Sequence, residues 1–435
     1  MRLAQVSSDT LVDLRGAVAG ALPGYLADLG RLVNVDSGSY TKAGVDEVGR
    51  WTADALRKLG AAVEVHSNAD LGDTIVARFR GVGTARVLVI GHLDTVFEPG
   101  TVAARPFRVV GGRAYGPGAC DMKAGLLAGV YALLALRATA AQRAQPRGAT
   151  SVAAGATGEP AGATADSDGA TGGPGALAFR PALPWLPLAR LTFVANPDEE
   201  IGSPVSTPLI RALAADHDAA LVLECARANG DIVSSRKGNL SLELRVRGRA
   251  AHAGVEPEKG RSAIVEAAHK TIALQALNGR WPGVTCNVGV FRGGTRPNVV
   301  ADEALLQVDL RAPTRGSLEA AQAAVHGIAS RATVPDVTCD VAQRGRHWPM
   351  ERLPGAADMV ETAVALASVL GFELRDASTG GASDANTTAG EGLPTLDGMG
   401  PVGGLDHSSD EYVELDSVVD RVTLLAGMLC ALGGP

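Results

Sequence analysis

The strongest constraint on the fold is a change in the period of the apolar residues along the chain. Residues 10–33 and 42–59 carry Leu and Val at helical spacing. From residue 62 onward the chain contains short β-branched runs with the length of strands, namely AAVEVHS, TIVARFR and RVLVIGHLDT. An apolar segment at 122–138 predicts a buried helix, and the strand-like runs LTFVANPDEE and AALVLECA follow it. Strands that alternate with helices predict an α/β fold with a mixed sheet covered on both faces.

Residues 238–343 have a different order of elements. The runs NLSLELRVRG, TCNVGVFRGG, VADEALLQVDLRA and VTCDVAQ alternate as strands, and helical patterns follow the first and the third of them. The order βαββαβ is that of a ferredoxin-like module. We therefore predict a discontinuous α/β domain, residues 1–237 and 344–435, interrupted by a ferredoxin-like domain at 238–343.

The segment 138–187 lacks the residues that a core needs. From 138 to 176 its only large aliphatic or aromatic residue is Val152, and most of the rest is Ala, Gly, Thr, Pro and Ser. Such a composition buries too little apolar surface to offset the entropy lost on ordering. We expect a disordered insertion inside the α/β domain, because motifs on its two sides belong to one site. An interdomain linker is the alternative.

Composition and charge exclude several classes of protein. The 435 residues include 40 Lys and Arg against 47 Asp and Glu, a net charge of −7, which argues against nucleic-acid and acidic-membrane partners. The five cysteines are scattered without a CxxC pair, so neither a disulfide framework nor a cysteine-based zinc knuckle is expected. Pro23 and Asp28 break the N-terminal apolar stretch, and no run approaches the roughly 20 apolar residues of a membrane span. We expect a soluble cytoplasmic protein.

Polar residues at the ends of the predicted strands are the main functional signal, because open α/β sheets bind ligands at that edge. Taken singly they have ordinary alternatives: a structural histidine, a helix N-cap at the acid before MKAG, or a solvated turn for the paired glutamates. Taken together they would form a negative cluster that only a cation would neutralise. The residues are His92, Asp94, Asp121, Glu199, Glu200, Glu224 and His407.

The candidate ligands suffice for two metal ions if Asp121 is shared. One ion would be bound by His92, Asp121 and Glu224, and the other by Asp121, Glu200 and His407. Three protein ligands and a vacant position for a shared water are typical of a catalytic site rather than a structural one. Nitrogen and oxygen ligands without sulfur favour two zinc ions, with cobalt or manganese as possible substitutes.

Two neighbouring residues complete the predicted site. Glu199 lies next to a ligand without being one, and is therefore a candidate general base that would pass a proton from water to a leaving amine. Asp94 would hydrogen-bond the far ring nitrogen of His92 and so orient it.

The motifs resemble those of one enzyme family. GHLDTVF, YGPGACDMKAG, NPDEEIGS, GRAAHAG, GGTRPNVV and GGLDHSSDEYV, with Glu224 between them, occur in the order found in zinc metallopeptidases of the aminoacylase/glutamate carboxypeptidase (carboxypeptidase G-like) family. The resemblance covers nearly the whole chain. It implies that Glu199 is the general base, that Asp121 bridges the metals and precedes a cis peptide bond to Met122, and that the βαββαβ module serves dimerisation.

The same resemblance suggests further site residues. It implies that His252, in GRAAHAG, reaches the site of the partner subunit and stabilises the oxyanion, although a solvated turn histidine is the alternative. It also implies that Asn298 and Arg311 recognise a substrate carboxylate, for which guanidinium has matching geometry. Lys237 is a weaker substrate-binding candidate, since Lys–Gly turns are common, and Gly381 would line the substrate pocket through its backbone. An active homodimer is therefore expected.

The function expected from these observations is metal-dependent amide hydrolysis. The substrate would be a small molecule or short peptide with a free carboxylate, and the released C-terminal amino acid would be glutamate. Glu224, where many aminopeptidase relatives have Asp, favours carboxypeptidases and deacylases by association. One alternative is a deacylase of N-acetyl or N-succinyl amino acids from the same family. A non-catalytic binding protein is a distant alternative, because the sequence retains the base and every ligand.

Overall fold

The computed structural model describes residues 3–144 and 181–434. The helices are α1 (Ser8–Val33), α2 (Lys42–Lys58), α3 (Thr101–Ala104), α4 (Gly125–Ala144), α5 (Thr207–Ala214), α6 (Ala263–Gln275), α7 (Arg315–Ala329), α8 (Pro354–Leu370), α9 (Asp384–Gly390) and α10 (Leu415–Leu432). The first strands are β1 (Ala62–His66), β2 (Thr74–Arg80), β3 (Arg86–His92), β4 (Arg108–Val110), β5 (Arg113–Tyr115), β6 (Arg190–Asn196), β7 (Ala219–Val222) and β8 (Ile232–Arg236). The remaining strands are β9 (Gly238–Arg247), β10 (Thr285–Gly293), β11 (Glu303–Ala312), β12 (Thr338–His347), β13 (Asp376–Thr379), β14 (Thr395–Leu396), β15 (Gly403–Gly404) and β16 (Tyr412–Glu414).

The central sheet is mixed, which confirms the predicted α/β class. Its order is β1-β2-β6-β3-β7-β14. Strands β6, β3, β7 and β14 are mutually parallel, and β2 runs antiparallel to its two neighbours, β1 and β6. Alternate residues of β3 enter different cores: Val87 and Val89 pack with α1, α4 and α10, whereas Leu88 and Ile90 pack with α5 and α9. Because both faces are covered, the strand is apolar between its two ends, and only Arg86 and His92 at those ends are polar.

The second domain has the predicted ferredoxin-like fold. Its four strands are antiparallel in the order β10-β11-β9-β12, which is the arrangement that a βαββαβ chain forms. Leu240, Leu242, Leu244 and Val246, alternate residues of β9, are buried. They share one core with buried residues of α6 and α7. The strand period of two therefore separates a helix-covered face from an outer face.

The expected disordered insertion is wrong at both of its ends. Residues 138–144 continue α4, where Ala-rich sequence favours helix and Arg143 forms an ion pair with Asp13 at 2.7 Å. Near the other end Leu186 is fully buried, and Trp185 contacts the Phe79 ring edge-on at 6.2 Å. The low apolar content of 138–176 does not extend to residues 177–187, which include Trp185 and Leu186. Residues 145–180 lie outside the described part of the chain, so the rest of that prediction is untested.

One helix bears on the expectation that no apolar run approaches the length of a membrane span. In the described ranges one helical stretch, Ala119–Ala144, has the length and composition of such a span, with a mean hydropathy of 1.6. In the most apolar 18-residue window of this stretch, 72% of the window is buried inside the molecule. Helix α4 packs there against α1 and α10. A buried core helix has the same composition, so this stretch is weak evidence for a membrane span.

Candidate metal centre

The predicted ligands lie at one edge of the central sheet, where the carboxyl ends of its parallel strands meet. Each is placed by a different element, and the regular pairing of β3 with β6 and β7 aligns three of these elements. His92 ends β3, Asp121 lies in the irregular turn before α4, Glu199 and Glu200 form a short helical turn after β6, Glu224 follows β7, and His407 lies between β15 and β16.

Asp121 lies between two histidines. Its Oδ1 is 3.0 Å from Nε2 of His92, and its Oδ2 is 3.1 Å from Nε2 of His407. His407 Nε2 is also 3.1 Å from Oε2 of Glu200, while Oε1 of Glu224 is 3.8 Å from His92 Nε2. In each of the two predicted ligand sets the donor atoms lie within 4.8 Å of one another. The structure therefore brings both sets together around a shared carboxylate.

The buried carboxyl groups of this centre fit bound cations. Oε1 of Glu200 is buried without a hydrogen-bond partner. Burial raises the pKa of Glu200, and burial together with the charge of Asp121 raises that of Glu224. A divalent cation would supply the missing partner and favour the charged forms. The donors are histidine nitrogens and carboxylate oxygens, a set that suits zinc.

The electrostatics keep the shared carboxylate ionised. Burial alone would raise the pKa of Asp121, but hydrogen bonds with His407 and His92 lower it well below its usual range. The hydrogen bonds with Asp121 and Glu200 in turn raise the pKa of His407 to about 10. Asp121 is thus an anion at any physiological pH, as a bridging ligand must be.

Asp94 organises more of the site than the sequence predicted. The nearest acceptor to Nδ1 of His92 is the backbone carbonyl of Asp94, at 3.0 Å, while the Asp94 carboxylate lies 3.3 Å away. That carboxylate accepts hydrogen bonds from the Ser39 hydroxyl at 2.7 Å and from the backbone amides of Glu199 and Glu200 at 3.2 Å. It therefore joins the His92 strand to the turn that carries both glutamates.

Glu199 has an unpaired carboxylate. Among the residues that the structure describes, none forms a hydrogen bond or an ion pair with it. Burial and the nearby charge of Glu224 raise its pKa well above the usual range for glutamate. A half-buried carboxylate with a raised pKa and no partner is suited to accept a proton and release it again.

Glu411 is a positioning residue that the sequence reasoning missed. Its carboxylate is buried and accepts hydrogen bonds from the backbone amides of Gly118, Cys120 and Asp121, at 2.7–2.9 Å. Burial raises its pKa to about 7. The available signal was its place in GGLDHSSDEYV, four residues after His407. The turn that it holds contains the Asp121–Met122 peptide bond, which is cis, as the resemblance implied.

Three of the predicted substrate-binding residues lie around one loop. Arg311 Nη1 donates to the carbonyl of Gly380 at 2.8 Å, and the backbone amide of Lys237 donates to the carbonyl of Thr379 at 3.0 Å. The carbonyl of Gly381 accepts from buried Arg236, at 3.2 Å. Arg236, which sequence reasoning missed, also pairs with Asp397 at 2.7 Å. Its signal was a cation next to an apolar strand, directly before Lys237.

His252 and Asn298 lie apart from this loop. Both are exposed on the second domain, and the backbone amide of Ala253 donates to the carbonyl of Asn298 at 3.0 Å. Within the described residues, the hydrogen bonds and strand pairing of His252 involve its own turn and Val299. A single chain therefore does not bring these two residues into contact with the metal ligands.

Comparison with known proteins identifies the family. A family model described as "Peptidase family M20/M25/M40" matches residues 88–154, and one described as "Peptidase dimerisation domain" matches residues 234–337. The chain therefore matches the M20 peptidase family in both of its domains. It is accordingly a metal-dependent peptidase or amidohydrolase, and its M20 dimerisation domain coincides with the ferredoxin-like module.

Individual relatives and a solved structure are also similar to this chain. Carboxypeptidase G2 of Pseudomonas sp. (strain RS-16) is 28% identical over 420 residues, covering 94% of this chain and 90% of that protein. Succinyl-diaminopimelate desuccinylase of Thioalkalivibrio sulfidiphilus is 25% identical over 208 residues, or 46% of this chain and 54% of that protein. The structure of aminopeptidase PepT from Bacillus cereus has the same fold, with a TM-score of 0.72, 22% identity, and coverage of 94% and 98%.

Proposed function

We propose that this M20 protein hydrolyses the amide bond of N-acyl or peptidyl substrates and releases a C-terminal amino acid, with glutamate preferred. The observation that carries the proposal is the Asp121 carboxylate held between two histidines, 3.0 Å and 3.1 Å away, beside the unpaired carboxylate of Glu199. The name of its relative carboxypeptidase G2, to which it is similar over 94% of its length, supports a carboxypeptidase.

Two zinc ions would complete the site, with cobalt or manganese as substitutes. His92, Asp121 and Glu224 would hold one ion, and Asp121, Glu200 and His407 the other. When bound, the pair would acidify a water molecule and polarise the substrate carbonyl. A shared aspartate and three ligands for each ion leave room for that chemistry.

The protein's own residues would move the proton and hold the geometry. Glu199 would accept the proton of the attacking water and donate it to the leaving amine, which its raised pKa favours. Asp94 would hold the turn of Glu199 and Glu200 in place beside His92 through the hydrogen bonds described above. Preorganised groups of this kind need no rearrangement in the transition state.

Recognition of the substrate carboxylate would fall to Arg311. Its side chain is 38% exposed, and it is fixed by Asp309 at 2.8 Å and by the Gly380 carbonyl, next to Gly381. Guanidinium pairs bidentately with a carboxylate, so a held but accessible arginine favours substrates with a free acid. Asn298 and Lys237 would assist, and His252 would act on the site of a partner subunit in a homodimer. The cytoplasmic location stays a prediction.

The test is hydrolysis of matched N-acyl glutamates, aspartates and neutral amino acids by zinc-loaded and by chelated protein. Glu199→Gln serves as the control, since it preserves shape and removes the base. We expect metal-dependent release of glutamate above the other amino acids, lost in the variant. Hydrolysis that survives both chelation and Glu199→Gln would refute the proposal.

The second candidate is a deacylase of short N-acyl amino acids. The similarity to a succinyl-diaminopimelate desuccinylase over 208 residues favours it, and the same catalytic residues would serve. Activity confined to N-acetyl or N-succinyl substrates, with no preference for glutamate, would select this alternative over the carboxypeptidase.

A further inference from the structure

A second cluster of metal-binding side chains lies directly beside the dinuclear centre. It consists of Cys120, Cys225 and Asp406, whose two sulfurs and carboxylate oxygen all lie within 4.8 Å of one another. None of the three belongs to either of the ligand sets described above. Two sulfur donors with one carboxylate form a different chemical environment from the nitrogen and oxygen donors of the dinuclear centre.

The chain topology explains why these three side chains meet. Cys120 directly precedes Asp121, Cys225 directly follows Glu224, and Asp406 directly precedes His407. Elements that bring three ligands to one centre therefore also bring their sequence neighbours together on the adjoining side. The cluster is a consequence of the same sheet edge that forms the site.

The local packing brings the three side chains close together. Cys120 is fully buried, and a Cβ atom added to Gly403 would lie only 2.4 Å from its Sγ. The strand that begins at Gly403 leads into the loop of Asp406, so the close approach of glycine lets the carboxylate come near the thiols. Cys225 is partly buried and Asp406 is exposed, which leaves the cluster open to solvent on one side.

The distances match those of a thiophilic cation site. Sγ of Cys225 lies 3.8 Å and 3.9 Å from the two carboxylate oxygens of Asp406. This sulfur is the only hydrogen-bond partner of the Asp406 carboxylate among residues 3–144 and 181–434, and both of its distances are long for a hydrogen bond. In a tetrahedral site with a Zn–S bond of about 2.3 Å and a Zn–O bond of about 2.0–2.2 Å, a sulfur ligand and an oxygen ligand lie about 3.5–3.7 Å apart. A cation between the three donors would require little movement.

We propose that Cys120, Cys225 and Asp406 form a third metal site, selective for a thiophilic divalent cation and distinct from the dinuclear centre. Three donors leave a fourth position for water or a small ligand. The cysteines ligate as thiolates, so each thiol that binds releases its proton to solvent. A disulfide between the two cysteines is the competing arrangement, but it would give no role to the carboxylate beside them.

The test is a titration of the zinc-loaded protein with Cd²⁺, followed by the ultraviolet sulfur-to-cadmium charge-transfer absorption. This signal requires thiolate ligands, and the dinuclear centre has none, so exchange of cadmium into that centre does not contribute. We expect a band that saturates at one equivalent per chain. Cys225→Ser should lose about half of the band or more, since one of two thiolates is gone.

Two further variants keep the test decisive if Cys225→Ser fails to fold. Asp406→Asn, at an exposed position, should keep the band at saturation but weaken cadmium binding by at least about tenfold. Cys430→Ser, a partly buried cysteine of α10, is the matched control and should behave as wild type. The proposal is overturned if the wild-type band is absent, if it is equal in Cys225→Ser, or if thiol counting finds a disulfide instead of five free cysteines. None of these readouts depends on hydrolysis.

Discussion

At the scale of single residues, the site depends on buried groups whose partners are backbone amides. Glu411 holds the turn of Asp121 through three such hydrogen bonds, and Asp94 holds the turn of Glu199 through two. A buried carboxylate is costly unless it is hydrogen-bonded in this way. Both residues therefore act on the ligands through main-chain geometry, which sequence motifs alone do not reveal.

Replacing Glu411 should disturb the metal centre without unfolding the protein. Glu411→Gln keeps the shape but loses a charged acceptor, so we expect metal affinity and kcat each to fall by about 10–100-fold. Zinc content after dialysis and steady-state kinetics are the measurements. Asp410→Asn, at the exposed neighbouring position, is the control. Equal metal content and turnover in the two variants would contradict the positioning role.

His217 should make folding stability depend on pH. Burial lowers its pKa to about 4 from 6.5, and its ring contacts the Leu213 carbonyl at 2.6 Å and the Thr192 hydroxyl at 2.9 Å. Because the folded state disfavours the charged ring, its contribution is complete above pH 6.5 and is lost as pH falls towards 4. The loss should be about 2–3 kcal/mol.

Denaturant unfolding of wild type and His217→Gln at pH 7.5 and pH 4 measures this contribution. The variant should lose less of its free energy of unfolding between the two pH values. His269→Gln, at an exposed position of α6, should match wild type. An identical pH dependence in all three proteins would exclude the buried histidine as a cause.

At the scale of elements, the segment before β6 is part of the core. Leu186 is fully buried in the main apolar cluster, and its carbonyl accepts the backbone amide of Val82 at 3.0 Å. Leu186→Ala should therefore lower the free energy of unfolding by about 2–4 kcal/mol. Urea denaturation measures the change, with Val82→Ala, at a 61% exposed side chain, as control. A loss no larger than that of the control would mean that this segment does not pack.

At the scale of the whole molecule, the remaining question is how the second domain completes the site. His252 is exposed, and its ring hydrogen-bonds within its own turn rather than with the metal ligands of its own chain. A symmetric dimer brings the same surface of a second copy into reach, so a residue of one subunit can serve the site of the other. The proposed role of His252 therefore requires an assembly rather than a change within one chain.

Mixing two inactive variants tests this arrangement. His252→Ala and Glu199→Gln should each be nearly inactive, but co-expressed subunits should regain about a quarter of wild-type activity, since half of random dimers are mixed and each has one complete site. Hydrolysis by the co-expressed mixture, without separation of the dimer species, is the measurement. Activity no higher than that of the separate variants would show that both residues act within one chain or that His252 is not required.

Much of the fold and of the ligand list was predictable from the sequence. The period of apolar residues separates the doubly covered strand β3, whose interior is a continuous apolar run, from β9, where buried and outer residues alternate. Polar residues at strand ends face ligands rather than a core. The predicted ligands stand at such ends or in the adjoining turns: His92, Asp121, Glu200, Glu224 and His407. These signals are local, so the order of residues is enough to show them.

Other features depended on the tertiary structure. The buried contacts of Leu186 and the backbone hydrogen bonds of Glu411 join residues far apart in the chain, and no local period encodes them. The meeting of Cys120, Cys225 and Asp406 likewise depends on three elements reaching one edge of the sheet. The sequence by itself determined the element types and the chemistry of the ligands, because both follow from local pattern. The structure decided which side chains meet, because long-range packing alone sets those distances.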